Sequence, residues 1–217
     1  MAAIFGPEAN LGARLVLLAM AGMATLLVGG WIVLPRTDWL TGRGFPIQQP
    51  VPFSHQHHVA GLGLDCRFCH ATVETSANAG LPPGYTCMTC HSQVWTQAAV
   101  LAPVRQSLLQ HRAIAWNRVT NLPDYVYFDH SIHVARGVAC ESCHGRVDRT
   151  ALLDKQHSLS MGFCLDCHRN PAPRLRPPDA VFAMGWQRGP ATPSPQALMR
   201  LYHVGDRNLT DCTLCHR

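Results

Sequence analysis

From Leu15 to Leu34 the chain runs through 20 residues with neither charge nor proline, LVLLAMAGMATLLVGGWIVL, broken only by Thr25 and three glycines. At a rise of about 1.5 Å per residue such a run makes a helix of about 30 Å, which matches the hydrocarbon core of a bilayer. It predicts a retained transmembrane anchor. A buried helix of a soluble protein is rarely so uniformly apolar, and a cleaved signal peptide has a shorter apolar region closed by a small-x-small site. Only Gly29-Gly30 offers a weak form of that site before Trp31. Glu8 and Arg14 precede the run, while Arg36, Asp38 and Arg43 follow it. Charge bias therefore leaves its orientation open.

Beyond Pro35 the pattern changes. The apolar spacing of Ser92 to Trp116 allows a short helix interrupted at Pro103, and PQALMRLYHV, from Pro195 to Val204, allows another. Asn170 to Gln196 holds seven prolines and is expected to run extended over the surface. Charged residues are only 14% of the chain, while glycine (17) and proline (16) are abundant. Such a chain is rich in turns.

The candidate chemistry explains how so little regular structure can hold together. Five times two cysteines stand two residues apart with histidine directly after: Cys66-Cys69-His70, Cys87-Cys90-His91, Cys140-Cys143-His144, Cys164-Cys167-His168 and Cys212-Cys215-His216. These motifs consume all 10 cysteines. Cys-x-x-Cys-His is the attachment pattern of c-type haem: two thioethers to the porphyrin, and histidine as an axial ligand. Zinc sites and redox dithiols use paired cysteines without needing that histidine, and a disulfide framework has no reason to keep one spacing. Five covalent haems are expected, and they would form much of the core. The predicted fold class is a mostly irregular and α-helical multihaem cytochrome c. It has one N-terminal transmembrane helix, then a haem-packed domain with short helices and little or no sheet.

The remaining histidines carry a repeat. FSHQHHVA begins at Phe53 and FDHSIHVA at Phe128, 75 positions on, and each precedes a haem motif. The next motif follows 21 residues later in the first copy (Cys66 to Cys87) and 24 in the second (Cys140 to Cys164). This gives two dihaem modules, 50–100 and 125–170, and a C-terminal haem segment, 196–217, inside a domain spanning 37–217 after the 1–36 anchor segment. Histidines three apart on one helical turn project from the same side, displaced along the axis, and reach two different haems. His55, His58, His130 and His133 are therefore the candidate distal ligands, with His57 outside the set. For the fifth haem Met161, three residues before Cys164, is the first candidate, its thioether raising the potential. His203 is the runner-up, with His111, His157 and an open site as further alternatives.

The formal charge of +5 and pI of 8.8 do not indicate nucleic acid. Each haem brings two propionates, so the polypeptide charge alone misstates the field.

LPDYVYFDHSIHV, SLSMGFCLDCHR, the N-terminal span and the five-motif layout together resemble the pentahaem cytochrome c subunit of bacterial alternative complex III. That resemblance implies a membrane-anchored subunit on the periplasmic side, carrying electrons away from a quinol-oxidising assembly. It also strengthens Met161 as a ligand. One departure is Val119-Thr120, where the family pattern has Val-His, so no role of that histidine passes to Thr120. Covalent haem attachment occurs outside the bacterial cytoplasmic membrane, so residues from about Pro35 onward are expected there. With one span the chain does not build a quinol site alone. The expected partners are polytopic membrane subunits and an iron–sulfur protein, with a soluble cytochrome, copper protein or terminal oxidase as acceptor. The alternatives are a stand-alone multihaem quinol dehydrogenase and a reductase with an open haem. The usual marker of the former is a methionine soon after the first motif; here Ala71-Thr72-Val73 follows His70.

Overall fold

The computed structural model describes residues 6–216. It divides into two compact units, the first ending at Arg43 and the second beginning at Gly44. In the first unit, helix α1 covers Pro7–Val33, 27 residues or about 40 Å. It begins a full two turns before the apolar run, because Glu8 to Arg14 continue the helix as polar turns. Glu8 lies in the first turn, where the helix dipole favours an acidic side chain. Within Glu8–Arg36 the most apolar 18 residues have a mean hydropathy of 2.2 and none of them is buried, with Leu26 78% and Trp31 79% exposed. It is long and apolar enough to cross a membrane. The short helix α2, Asp38–Thr41, closes at Gly42, which adopts a left-handed φ of 69°.

The second unit is built from short helices: α3 Cys66–Cys69, α4 Gly84–His91, α5 Ala102–Leu109, α6 His130–Ala135, α7 Cys140–His144, α8 Met161–Arg169 and α9 Pro195–Leu201. Among the described residues there is no strand, only the isolated antiparallel bridges Pro46–Asp154, Val126–His216 and Val138–Leu175. The apolar core is correspondingly small. One cluster joins Val51, Leu101, Val104 and Ile114; another joins Leu175, Leu198 and Tyr202. This is the fold of a multihaem cytochrome c domain, mostly helical and irregular, in which polypeptide packing alone contributes few buried side chains.

Two local expectations are corrected. Pro103 does not interrupt a helix but stands in the first turn of α5, where its missing N–H costs nothing. The proline-rich stretch after Asn170 is not merely a surface run: Leu175, Ala180 and Val181 are buried. Prolines there set short 3-10 turns, Ala172–Arg174 and Pro178–Ala180, that aim those side chains inward.

The repeated modules grip each other reciprocally. Gln56 N–H donates to Thr150 O (3.1 Å), and Ser131 N–H donates to Ser76 O (3.2 Å). Gln56 and Ser131 are separated by 75 positions, as are Phe53 and Phe128; Ser76 and Thr150 are separated by 74, as are Cys66 and Cys140. The two bonds are thus the same bond made in each direction. Two cavities follow the same rule. One of about 340 Å³ is lined by Val59, Ala60, Cys66 and Asp148; one of about 260 Å³ is lined by Val134, Ala135 and Glu74. Phe182 lines both.

Candidate functional site

Each repeat begins with a phenylalanine that holds two imidazoles. Phe53 meets His55 edge-on (4.9 Å, 87°) and stacks on His58 (4.3 Å, 25°). Phe128 meets His130 edge-on (4.8 Å, 87°) and stacks on His133 (4.5 Å, 28°). The rings are therefore set at the same angles in both copies, although the backbones differ. In the second copy Asp129 caps α6, its carboxylate accepting from Ser131 and Ile132 N–H. In the first copy a π-helical turn, Gln56–Gly61, follows His55. In both copies the second histidine turns Nδ1 back to the carbonyl four residues earlier: His58 to Ser54 O (2.9 Å) and His133 to Asp129 O (2.7 Å).

These histidines face those of the Cys-x-x-Cys-His motifs. Ring centroids are 6.3 Å apart for His58–His91, 6.2 Å for His130–His144 and 6.2 Å for His133–His168. Two imidazoles bound trans to one metal through bonds of about 2.0 Å, each ring centre about 1.2 Å beyond its nitrogen, have centroids about 6.4 Å apart. The observed pairs match. His55 lies close enough to His70 to feel its charge. The second repeat thus serves two different motifs of its own module, one per histidine, and His58 of the first repeat serves the second motif.

The other ring nitrogens are anchored by backbone. His70 Nδ1 meets Gly80 O (2.7 Å), His91 Nδ1 meets Val94 O (3.0 Å), His130 Nδ1 meets Ala77 O (2.7 Å) and His168 Nδ1 meets Leu209 O (2.8 Å). This arrangement presents Nε2 to a metal and fixes the ring plane. Burial, then the neighbouring His70 and His58, holds His55 down at about 4. Burial, then His130 and further histidines, holds His144 at about 4. Neutral imidazole is the form that binds metal. His55 Nδ1 is buried with no hydrogen-bond partner.

None of the ten cysteines is disulfide-bonded. Burial raises the Cys143 thiol to about 11 and also pushes up Cys69, Cys87, Cys164 and Cys167. Among the described residues no three His, Cys, Asp or Glu side chains cluster as a metal cage. The sites are two-histidine sites flanked by paired thiols. That set suits a metal whose other four positions come from a macrocycle, and the residues fit covalent haem c.

The fifth motif is built differently. Its histidine, His216, stacks against Tyr125 (5.9 Å, 29°) and directs Nδ1 to Tyr125 O (3.3 Å). Met161 opens α8 and is 60% exposed. His203 is exposed and pairs with Asp206 (3.6 Å). His157 stacks on Phe163 (5.2 Å), and His111 is exposed beyond α5. His57 is exposed, edge-on to His58. Sequence reasoning missed the carbonyl anchors. They carry no side-chain signature, though the shared phenylalanines that lock the rings were visible in the repeat.

With covalent haem c fitted by its residues, the chain is a multihaem c-type cytochrome that transfers electrons. Residues 126–217, which hold the last three motifs, match the family model of cytochrome c7 and related cytochrome c. Over 124 residues the chain is 32% identical to the menaquinone reductase, multiheme cytochrome c subunit of Nitratidesulfovibrio vulgaris Hildenborough, an alignment covering 57% of this chain. It spans 56%, about half, of that relative's length.

Proposed function

We propose that this chain relays single electrons through five covalent haems, as the electron-transfer subunit of a membrane quinol-oxidising assembly of the alternative complex III type. The observation that carries the reading is the set of facing histidine pairs at metal-bridging distance, repeated in two modules. When bound, each haem supplies an iron that takes up and releases one electron. The ten cysteines would tether the macrocycles, and His70, His91, His144, His168 and His216 would ligate from one face. His55, His58, His130 and His133 would ligate from the other. Backbone carbonyls at Nδ1 hold His58, His70, His91, His130, His133, His168 and His216 still, so little rearrangement accompanies a change of charge. Met161 is the ligand proposed for the remaining position, where a thioether favours a higher potential than imidazole.

The helix α1 would anchor the chain with the haem domain on the extracytoplasmic side. Quinol oxidation would lie with polytopic partner subunits and an iron–sulfur protein, and the acceptor would be a soluble cytochrome, copper protein or terminal oxidase. The N. vulgaris relative is named as part of a menaquinone reductase, which supports a second reading: the same relay run toward the quinone pool. Gentle solubilisation, affinity capture of this chain and identification of what accompanies it tests the proposal. Co-recovery of a polytopic protein and an iron–sulfur protein, with quinol reducing the haems, is expected. Recovery of this chain alone, still reduced by quinol, would overturn it. Reduction only by a low-potential donor, with electrons passing to menaquinone, would favour the second reading.

A further inference from the structure

The order of the motifs in space differs from their order in sequence. The first and second motifs adjoin, because His55 and His58 are held on one phenylalanine, His58 faces His91, and His55 lies near His70. The thiols of Cys69 and Cys87 lie within electrostatic reach of each other. The third and fourth motifs adjoin in the same way through Phe128, His130 and His133.

Between modules the contact is made by the first and third motifs. Cys66 of the first motif and Asp148, four residues beyond His144 of the third, line one cavity, Gln56 beside His55 donates its N–H to Thr150 O (3.1 Å), and Cys66 lies near Cys140. These are equivalent residues of the repeat, as expected where two related modules meet across a pseudo-two-fold axis. His130, which faces the third motif, donates its backbone N–H to the carbonyl of Ala77 and directs its ring Nδ1 to the same oxygen, in the loop between the first and second motifs. The fifth motif adjoins the fourth. Cys164 and Cys215 are neighbours, and Leu209, three residues before Cys212, supplies the carbonyl that orients His168. Exposure marks the ends: of the ten cysteines only Cys90, in the second motif, and Cys212, in the fifth, are exposed.

We infer that the five sites form one unbranched line in the order second, first, third, fourth, fifth, with exchange with partners at the second and fifth motifs. This rests on the reading of the motifs as haem sites. Each electron received from a one-electron centre of a partner at one end leaves as one electron to a one-electron acceptor at the other. No bond or proton changes hands within the chain.

The full-length chain in detergent tests the order through two ligand replacements, His55→Met at the first site and His58→Met at the second. A thioether raises the potential of the altered site, so in a reductive titration it takes its electron before the remaining two-histidine sites, and comparison with the unaltered chain separates it from the site proposed for Met161. Its neighbours register that electron as displaced haem-methyl proton resonances. The expected result is two displaced sets for His55→Met and one for His58→Met. Order along the sequence demands the reverse, one and two, and that result would overturn the inference. His58→Met decides the matter alone if the other variant does not fold. Fewer than five haem resonance sets in the unaltered chain would instead refute the underlying reading.

Discussion

Gly137 joins α6, which carries the proposed ligands His130 and His133, to the third Cys-x-x-Cys-His motif, and replacing it by alanine should be costly for two separable reasons. Its φ is +76°, a region that costs an L-residue about 1–2 kcal/mol. A Cβ there would also stand 2.3 Å from Tyr202 Cε2 and 2.9 Å from Arg176 O. Arg176 cannot easily retreat, because its N–H donates to Gly137 O (2.9 Å) and its carbonyl accepts from Tyr202 O–H (2.8 Å). Overpacking of this kind costs about 1–3 kcal/mol, and a displaced Tyr202 loses a hydrogen bond worth about 1 kcal/mol. The total is about 3–6 kcal/mol. Two controls divide it. Conversion of Gly63, with φ +69° and open space around it, to alanine should cost only about 1 kcal/mol. Gly189, with neither a left-handed φ nor a neighbour within 4 Å, should change by less than about 0.5 kcal/mol. Denaturant unfolding of the haem-loaded domain, followed by the loss of low-spin absorption, reads all three. Gly137→Ala behaving like Gly63→Ala would refute the packing of Tyr202 beside α6.

Leu198 is fully buried beside Leu175, so Leu198→Ala should lower unfolding stability by about 2–5 kcal/mol in the same assay. Arg176 is paired with Glu141 (3.1 Å) at 11% and 20% side-chain exposure, and Arg176→Met should cost about 3 kcal/mol by leaving the carboxylate uncompensated. His133→Ala should convert one haem in five to a high-spin spectrum, whereas His111→Ala should leave the spectrum as it was; equal spectra would remove His133 from the ligand set. A chain starting at Gly44 should partition into the aqueous phase of a detergent extraction with its haem spectrum intact, whereas the full chain should stay with the detergent.

What was legible in the sequence was whatever is written in side chains at short range. The haem motifs, the Phe-x-His-x-x-His repeat and the apolar run all depend on nearest neighbours, and the structure puts the repeated rings at matching angles. The pairing of each distal histidine with a motif was not legible, since it depends on where loops return. The carbonyls of Ala77 and Leu209 orient His130 and His168 from 53 and 41 residues away. The start of α1 was read eight residues late, at Leu15 instead of Pro7, because hydropathy marks the apolar part of a helix and not its polar turns. Leu175 escaped notice as core because prolines on either side made its stretch read as surface.

The reciprocal bonds between the modules bear on ancestry. Gln56 with Thr150 and Ser131 with Ser76 are what a self-complementary interface looks like when both of its copies sit on one chain. A single-module forebear of about 75 residues would have made those contacts as a homodimer, with its first haem motif at the seam. Duplication and fusion would then have turned an intermolecular electron jump into an internal one. Freed from symmetry, the two ends of the line could diverge, so that today one end closes on a second motif and the other continues into a fifth.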